Sequence, residues 1–167
     1  EYLSGYEEMN LVYTADMVGI RESRRAIGDY ILNYEDYCNR ASFEDEIGRY
    51  RYANDIHIMK PDQLSYDEFH KEISMTHEMY KPGESYGIPY RSLIPVGPSN
   101  ALVAGRCISV DRKVQSSIRV MPCCYITGQA AGVASALACE SEDVRGISIR
   151  ELQHRLKKMG GYLPNYQ

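Results

Sequence analysis

Ser116-Ser-Ile-Arg-Val-Met121 places two hydroxyls, a guanidinium and a run of backbone amides directly before Pro122, a residue suited to the first turn of a helix. A helix start is electropositive and rich in free N–H donors, so this spacing could hold an anionic group or the electron-rich edge of a heterocycle. Arg21-Glu-Ser-Arg-Arg25 gathers three arginines in five residues. Guanidinium forks fit carboxylate or phosphate, while a solvated charged face would read the same way. Asp55-Ile-His57 sets a carboxylate beside an imidazole on one face of an alternating run, which can raise the imidazole pKa and make His57 a proton carrier. With no third partner visible, an ordinary strand histidine is the plainer reading. His70 and His77 carry no comparable signal.

The elements that must position these groups can be read around them. From Pro122 the spacing predicts a helix with Ile126, Ala130, Val133 and Leu137 on one face and Gly128, Gly132, Ser135 and Cys139 opposite, small enough to let a flat group or another backbone approach closely. Ala101-Leu-Val-Ala104, bounded by Asn100 and Gly105, reads as a strand buried on both faces. Gly28 allows a bend or a close backbone approach within Ala26–Leu32. Asn33, followed by Glu35 and Asp36, predicts one short helix, and Ser42-Phe-Glu-Asp45 predicts another with Phe43 and Ile47 on one side. Ser148-Ile-Arg-Glu151 is a capping box opening a helix whose stripe is Ile149, Leu152, Leu156 and Met159, stopped by Gly160-Gly161. Residues 1–20 show only a loose apolar pattern. Lys60 to Gly87 is a polar excursion punctuated by prolines and glycines, with a strand or short helix near Ser65 to Ser74.

Composition bounds the function. At 167 residues, 44% hydrophobic and 25% charged, the chain can build one domain with a core and is not a disordered tail. A net charge of -4 gives no general attraction to nucleic acid or to an anionic membrane, so any anion site must be local. The uncharged run Val120–Cys139 approaches spanning length, but Pro122, Thr127, Gln129 and its glycines and alanines argue against a membrane helix. Fifteen tyrosines against two phenylalanines suggest half-buried rings lining clefts or an interface. The five cysteines have no metal-ligand spacing and are expected to be reduced and mostly buried, which favours the cytoplasm. The chain begins with Glu1 rather than Met and is expected to be an internal or processed piece of a longer protein.

Taken together, Ile88-Pro-Tyr-Arg-Ser-Leu-Ile-Pro95, Asn100-Ala-Leu-Val-Ala-Gly-Arg-Cys-Ile-Ser109, Ser117-Ile-Arg-Val-Met-Pro122 and Gly128-Gln-Ala-Ala-Gly132 resemble the C-terminal part of FAD-dependent oxidoreductases of the fumarate reductase and glutathione reductase-like kind. Arg21–Arg25, Gly28-Asp-Tyr30 and Asp55-Ile-His57 add to the resemblance. It implies an α+β fragment: a substrate-domain portion, residues 1–90, followed by the last strand and helices of a Rossmann-like FAD-binding α/β domain, residues 91–167. It further implies flavin contacts by Gly105, Arg106, Arg119, Val120 and Met121, with Arg24, His57 and Arg91 as the residues that hold or protonate a small-molecule substrate during hydride transfer. No strand followed by a G-x-G-x-x-G turn occurs in the chain, so the ADP-binding half is expected from an N-terminal part of the same protein, and the fragment alone is expected to be inactive and without FAD. A second copy pairing through an unsatisfied strand edge would be a further partner. The reading from another class is a non-catalytic binding or assembly module using the arginine clusters and a tyrosine-rich surface.

Overall fold

Asn33 starts the first helix as its sequence predicts. Its side chain accepts from Glu35 N and Asp36 N, and Asp36 Oδ2 accepts from Asn33 N at 3.1 Å, closing a capping box before α1 (Tyr34–Cys38). This is a computed structural model, and it describes residues 5, 8–10, 12–55, 65, 67, 80–139 and 143–166. Residues 56–58 of the expected strand, His57 among them, and most of the element expected near Ser65 to Ser74 lie outside the described residues.

The second predicted short helix is instead a turn into a strand. Ser42 Oγ accepts from Arg49 Nη1 at 2.8 Å, and the Asp45 carboxylate takes the Arg91 amide and guanidinium. Neither side chain is left to cap a helix, and the chain runs on as β1 (Glu46–Tyr50), antiparallel to β2 (Tyr86–Pro89), with an irregularity between Glu46 and Gly48. The two form a two-stranded sheet. After a single 3-10 turn (Tyr90–Leu93) the chain reaches the apolar run Ala101–Ala104. That run joins no ladder among the described residues; Val103 N donates to Leu93 O at 2.8 Å. An extended segment becomes a strand only beside a partner edge.

Three segments run side by side through backbone bonds instead. Asp29 N donates to Ile94 O, Val96 N to Ile27 O, Leu32 N to Ser109 O and Asp111 N to Leu32 O. The expected close approach at Gly28 is real: a Cβ there would stand 2.8 Å from both Ile94 O and Ser109 Cβ. A second 3-10 turn (Gly105–Cys107) leads to α2 (Arg112–Ile118), then α3 (Met121–Ala138) and α4 (Ile149–Lys158). Asp111 joins two helix starts, accepting from Val114 N through one oxygen and Tyr34 N through the other, both at 2.7 Å.

In α4 Leu152 and Leu156 are buried as expected, but Met159 is exposed because it is the C-cap. Gly160 N reaches Lys157 O and Gly161 N reaches Leu156 O, the paired bonds of a Schellman stop. Glu151 bonds Arg155 one turn on, so Ser148 caps the helix alone.

Some of the tyrosines build the core, while Tyr13, Tyr52, Tyr125 and Tyr162 are exposed. Tyr37, Tyr86 and Tyr90 are at most 1% exposed. Tyr37 packs against Tyr34, Tyr80 and Tyr86 with centroids 4.9–5.7 Å apart, and such pairs add about 0.5–1.5 kcal/mol each beyond burial. Buried hydroxyls are tolerated because each is bonded, Tyr86 to Ser117 Oγ and Tyr90 to Val144 O. Burial pushes the Tyr90 phenol up to about 12.

Arg49 fastens the hairpin to the incoming chain. Its guanidinium, 7% exposed, donates to Glu46 Oε2, to both Ser85 oxygens and to the Arg40 carbonyl. Arg49→Met would leave the buried Glu46 carboxylate without its cation, a loss of about 3–5 kcal/mol measurable by urea denaturation. Arg49→Lys should recover less than half, since an ammonium lacks the planar fork.

Candidate functional site

The corner between α2 and α3 draws together all five residues expected at the flavin. The two helix axes bend by 94° across Arg119 and Val120. Val120 is the N-cap of α3 with no side-chain cap, Met121 is the first helical residue and 63% exposed, and Pro122 follows. Proline has no N–H, so the first-turn donors are the amides of Met121 and Cys123. The helix start is therefore an electropositive surface with no side chain of its own to neutralise it.

The Gly105–Cys107 turn is fixed against this start. Gly105 N donates to Thr127 Oγ1 at 2.9 Å, Arg106 Nε donates to Arg119 O at 3.2 Å, and Gln115 Nε2 donates to Arg106 O at 2.7 Å. Gly105 has φ +75, a conformation that disfavours a side chain, and a Cβ there would stand 3.8 Å from Cys124 Sγ.

Arg119 does not point freely outward. It is 6% exposed, with Nη1 on Glu22 Oε2 at 2.8 Å and Nη2 on Asp55 O at 2.7 Å. Asp55 Oδ2 lies 3.6 Å from Nη2, and Arg112 Nε lies 3.9 Å from the other Glu22 oxygen. Among the described residues the buried side-chain atoms without a hydrogen-bond partner are Ser92 Oγ, Gln115 Oε1 and Arg119 Nε. Two of the three belong to this corner.

The serine hydroxyls before the helix are not part of the offered surface. Ser116 and Ser117 lie inside α2, buried, with Ser116 Oγ accepting from Asp55 N and Ser117 Oγ donating to Tyr52 O. Helical geometry turns them toward the 52–55 segment. The faces of α3 also differ from expectation. Its buried stripe is Cys123, Thr127, Ala130, Ala134 and Ala138, small enough for Ile126 to sit where a Cβ on Gly48 would come within 2.7 Å. Gly128 and Gly132 are exposed with open space around them, on the side that also carries Tyr125. Of the cysteines only Cys123 is buried, and burial pushes its thiol far up; Cys107 and Cys139 are exposed.

The substrate candidates separate from one another. Arg24 is exposed on the segment that Glu22 holds to the corner. Arg91 has its fork on Asp45, Nε to Oδ2 at 2.9 Å and Nη2 to Oδ1 at 3.2 Å, and its guanidinium carbon lies 5.0 Å over the Tyr30 ring. That hydrogen-bonded pairing raises its pKa further. His57 lies outside the described residues. Two cavities lie away from the corner, one of about 780 Å³ lined by Phe43, Glu46, Gln153 and Asn165 and one of about 450 Å³ lined by Gly48, Ile126 and Gly161. The α2–α3 corner is an open wall.

A family model described as FAD dependent oxidoreductase matches residues 1–156. This chain belongs to the FAD-dependent oxidoreductase family. FAD is that family's cofactor, and the family's chemistry is redox. No match is found among curated proteins or among solved structures. The corner's residues fit one wall of a site for such a group: an uncapped helix start, a glycine turn beside it, and unpartnered buried polar atoms on Gln115 and Arg119. Glu22, Asp55, Gln115 and Thr127 were not foreseen at this corner, because their bonds reach partners outside any local motif.

Thr127→Val removes the acceptor for Gly105 N while keeping the side-chain shape. We expect a loss of about 1–3 kcal/mol and faster hydrogen exchange at the Gly105 amide, read by NMR or mass spectrometry.

Proposed function

We propose that this chain contributes one wall of the flavin site in an oxidoreductase that moves a hydride between a small organic substrate and FAD. The observation that carries the reading is the convergence of Gly105, Arg106, Arg119, Val120 and Met121 on the uncapped start of α3. When bound, FAD supplies the redox chemistry, taking two electrons and a proton as hydride from a substrate C–H bond and so gaining one negative charge. The chain's own share is electrostatic and steric. The Met121 and Cys123 amides and the α3 dipole stabilise negative charge at the helix start, the Gly105 turn admits a close neighbour, and the Met121 side chain excludes water.

On this reading residues 91–167 complete a Rossmann-like FAD-binding domain whose ADP-binding half lies in an N-terminal part of the same protein. The open Gly128 and Gly132 face of α3 and the Ala101–Ala104 segment, which joins no ladder among the described residues, are the surfaces it would cover. Residues 1–90 belong to the substrate side, where Arg24 holds an anionic group of the substrate and His57 carries a proton. Arg91, committed to Asp45, acts through that pair. The family match favours this reading over a non-catalytic module.

The test is the protein as encoded, with whatever residues precede Glu1. It should purify yellow or take up added FAD; a colourless protein that binds no FAD would overturn the reading. Met121→Glu places a carboxylate at the exposed first helical position, which favours the helix itself by about 0.3–1 kcal/mol. We expect unchanged or slightly higher thermal stability together with FAD binding weakened about tenfold, roughly 1.4 kcal/mol, by titration calorimetry.

A further inference from the structure

Arg119 stands immediately before the N-cap of α3, so its charge adds to the helix dipole where the proposed site lies. It is not a bare cation. The Glu22 carboxylate, 97 residues away in sequence, closes on Nη1 at 2.8 Å and also faces Arg112 at 3.9 Å, while the Asp55 carboxylate stands 3.6 Å from Nη2. Among the described residues Glu22 bridges the guanidiniums of Arg119 and Arg112, and Asp55 faces Arg119 from the other side. Arg119 is 7% exposed in its side chain and Glu22 33%, so water screens this pair less than a surface one. The Glu22 segment is also tied down by a backbone bond, Ala26 N to Cys107 O at 2.8 Å, next to the Gly105–Cys107 turn.

We propose that Glu22 is a positioning residue that sets the reduction potential of the bound flavin by neutralising Arg119 at the start of α3. The inference rests on the flavin reading of this corner. Hydride uptake adds one negative charge to the flavin, so any net positive charge at the helix start favours the reduced form over the oxidised one. Glu22 lowers that bias by placing one counter-charge on Arg119. Glu22→Gln keeps the side-chain size and an acceptor for Arg119 while removing the counter-charge. The reduced flavin should then bind about tenfold more tightly relative to the oxidised one, an upward shift of about 30 mV for a two-electron couple.

The experiment is a dye-equilibrated reductive titration of the encoded protein with FAD bound, comparing wild type with Glu22→Gln, Glu22→Asp, Arg119→Gln and the double variant Glu22→Gln/Arg119→Gln. The proposal requires an upward shift for Glu22→Gln, a downward one for Arg119→Gln, a near-wild-type potential for the double variant, and return toward wild type in Glu22→Asp. A Glu22 that merely pins its segment would weaken binding of both flavin forms equally and leave the potential where it is, which overturns the proposal while the flavin reading stands. Wild-type protein that takes up no FAD overturns both. If Glu22→Gln fails to fold, Arg112→Gln, on a side chain 56% exposed, reads the same field: a smaller downward shift supports the proposal and an unchanged potential overturns it.

Discussion

A buried guanidinium holds the hairpin in place, and the rest of the described structure is built onto that hairpin. Arg49 has little access to water, so its donors must be met inside the protein, and the acceptors that meet them come from Arg40, Ser42, Glu46 and Ser85. Meeting that requirement closes the segment after α1 onto both strands. It also diverts Ser42 from capping a helix, so the same residues that resemble a helix start become a strand entry. With β1 fixed, Gly48 offers a bare backbone to Ile126, and α3 takes its place on the sheet.

The aromatic core follows the same logic of satisfaction. Phenylalanine would bury as much apolar surface, but a tyrosine core can bond across elements. Tyr86 reaches Ser117 in α2, Tyr90 reaches the Val144 carbonyl, and the Asn54 amide donates to the Tyr37 hydroxyl. Each bond links segments distant in sequence at the edge of an apolar cluster, where an unmet hydroxyl would be costly. Of the two serines that looked available to a ligand, Ser117 is the other half of the Tyr86 link and Ser116 accepts from Asp55 N.

What remains at the α2–α3 corner is backbone and paired charge. Met121 and Cys123 offer amides, Gly105 offers a close approach, and Arg119 offers a cation whose field is set by Glu22 and Asp55. An anionic or polarisable ring edge meets preorganised dipoles there rather than a flexible cation, the arrangement that stabilises developing charge with little reorganisation.

Local features were legible in the sequence. The caps at Asn33 and Ser148, the stop at Gly160-Gly161, Pro122 in the first turn of a helix and the close approach at Gly28 each depend on residues within a few positions, or on the absence of a side chain, and all appear in the structure. The order of motifs also pointed to the family and its cofactor. Tertiary structure decided the rest: that Ser42–Asp45 enters a strand, that α3 buries small residues and leaves Gly128 and Gly132 open, that Tyr37, Tyr86 and Tyr90 turn inward, and that Arg119 pairs with a glutamate near the other end of the chain. In each of these cases the local pattern alone did not determine the outcome. The choice fell to a distant partner, a carbonyl, carboxylate or strand edge whose position no local pattern encodes.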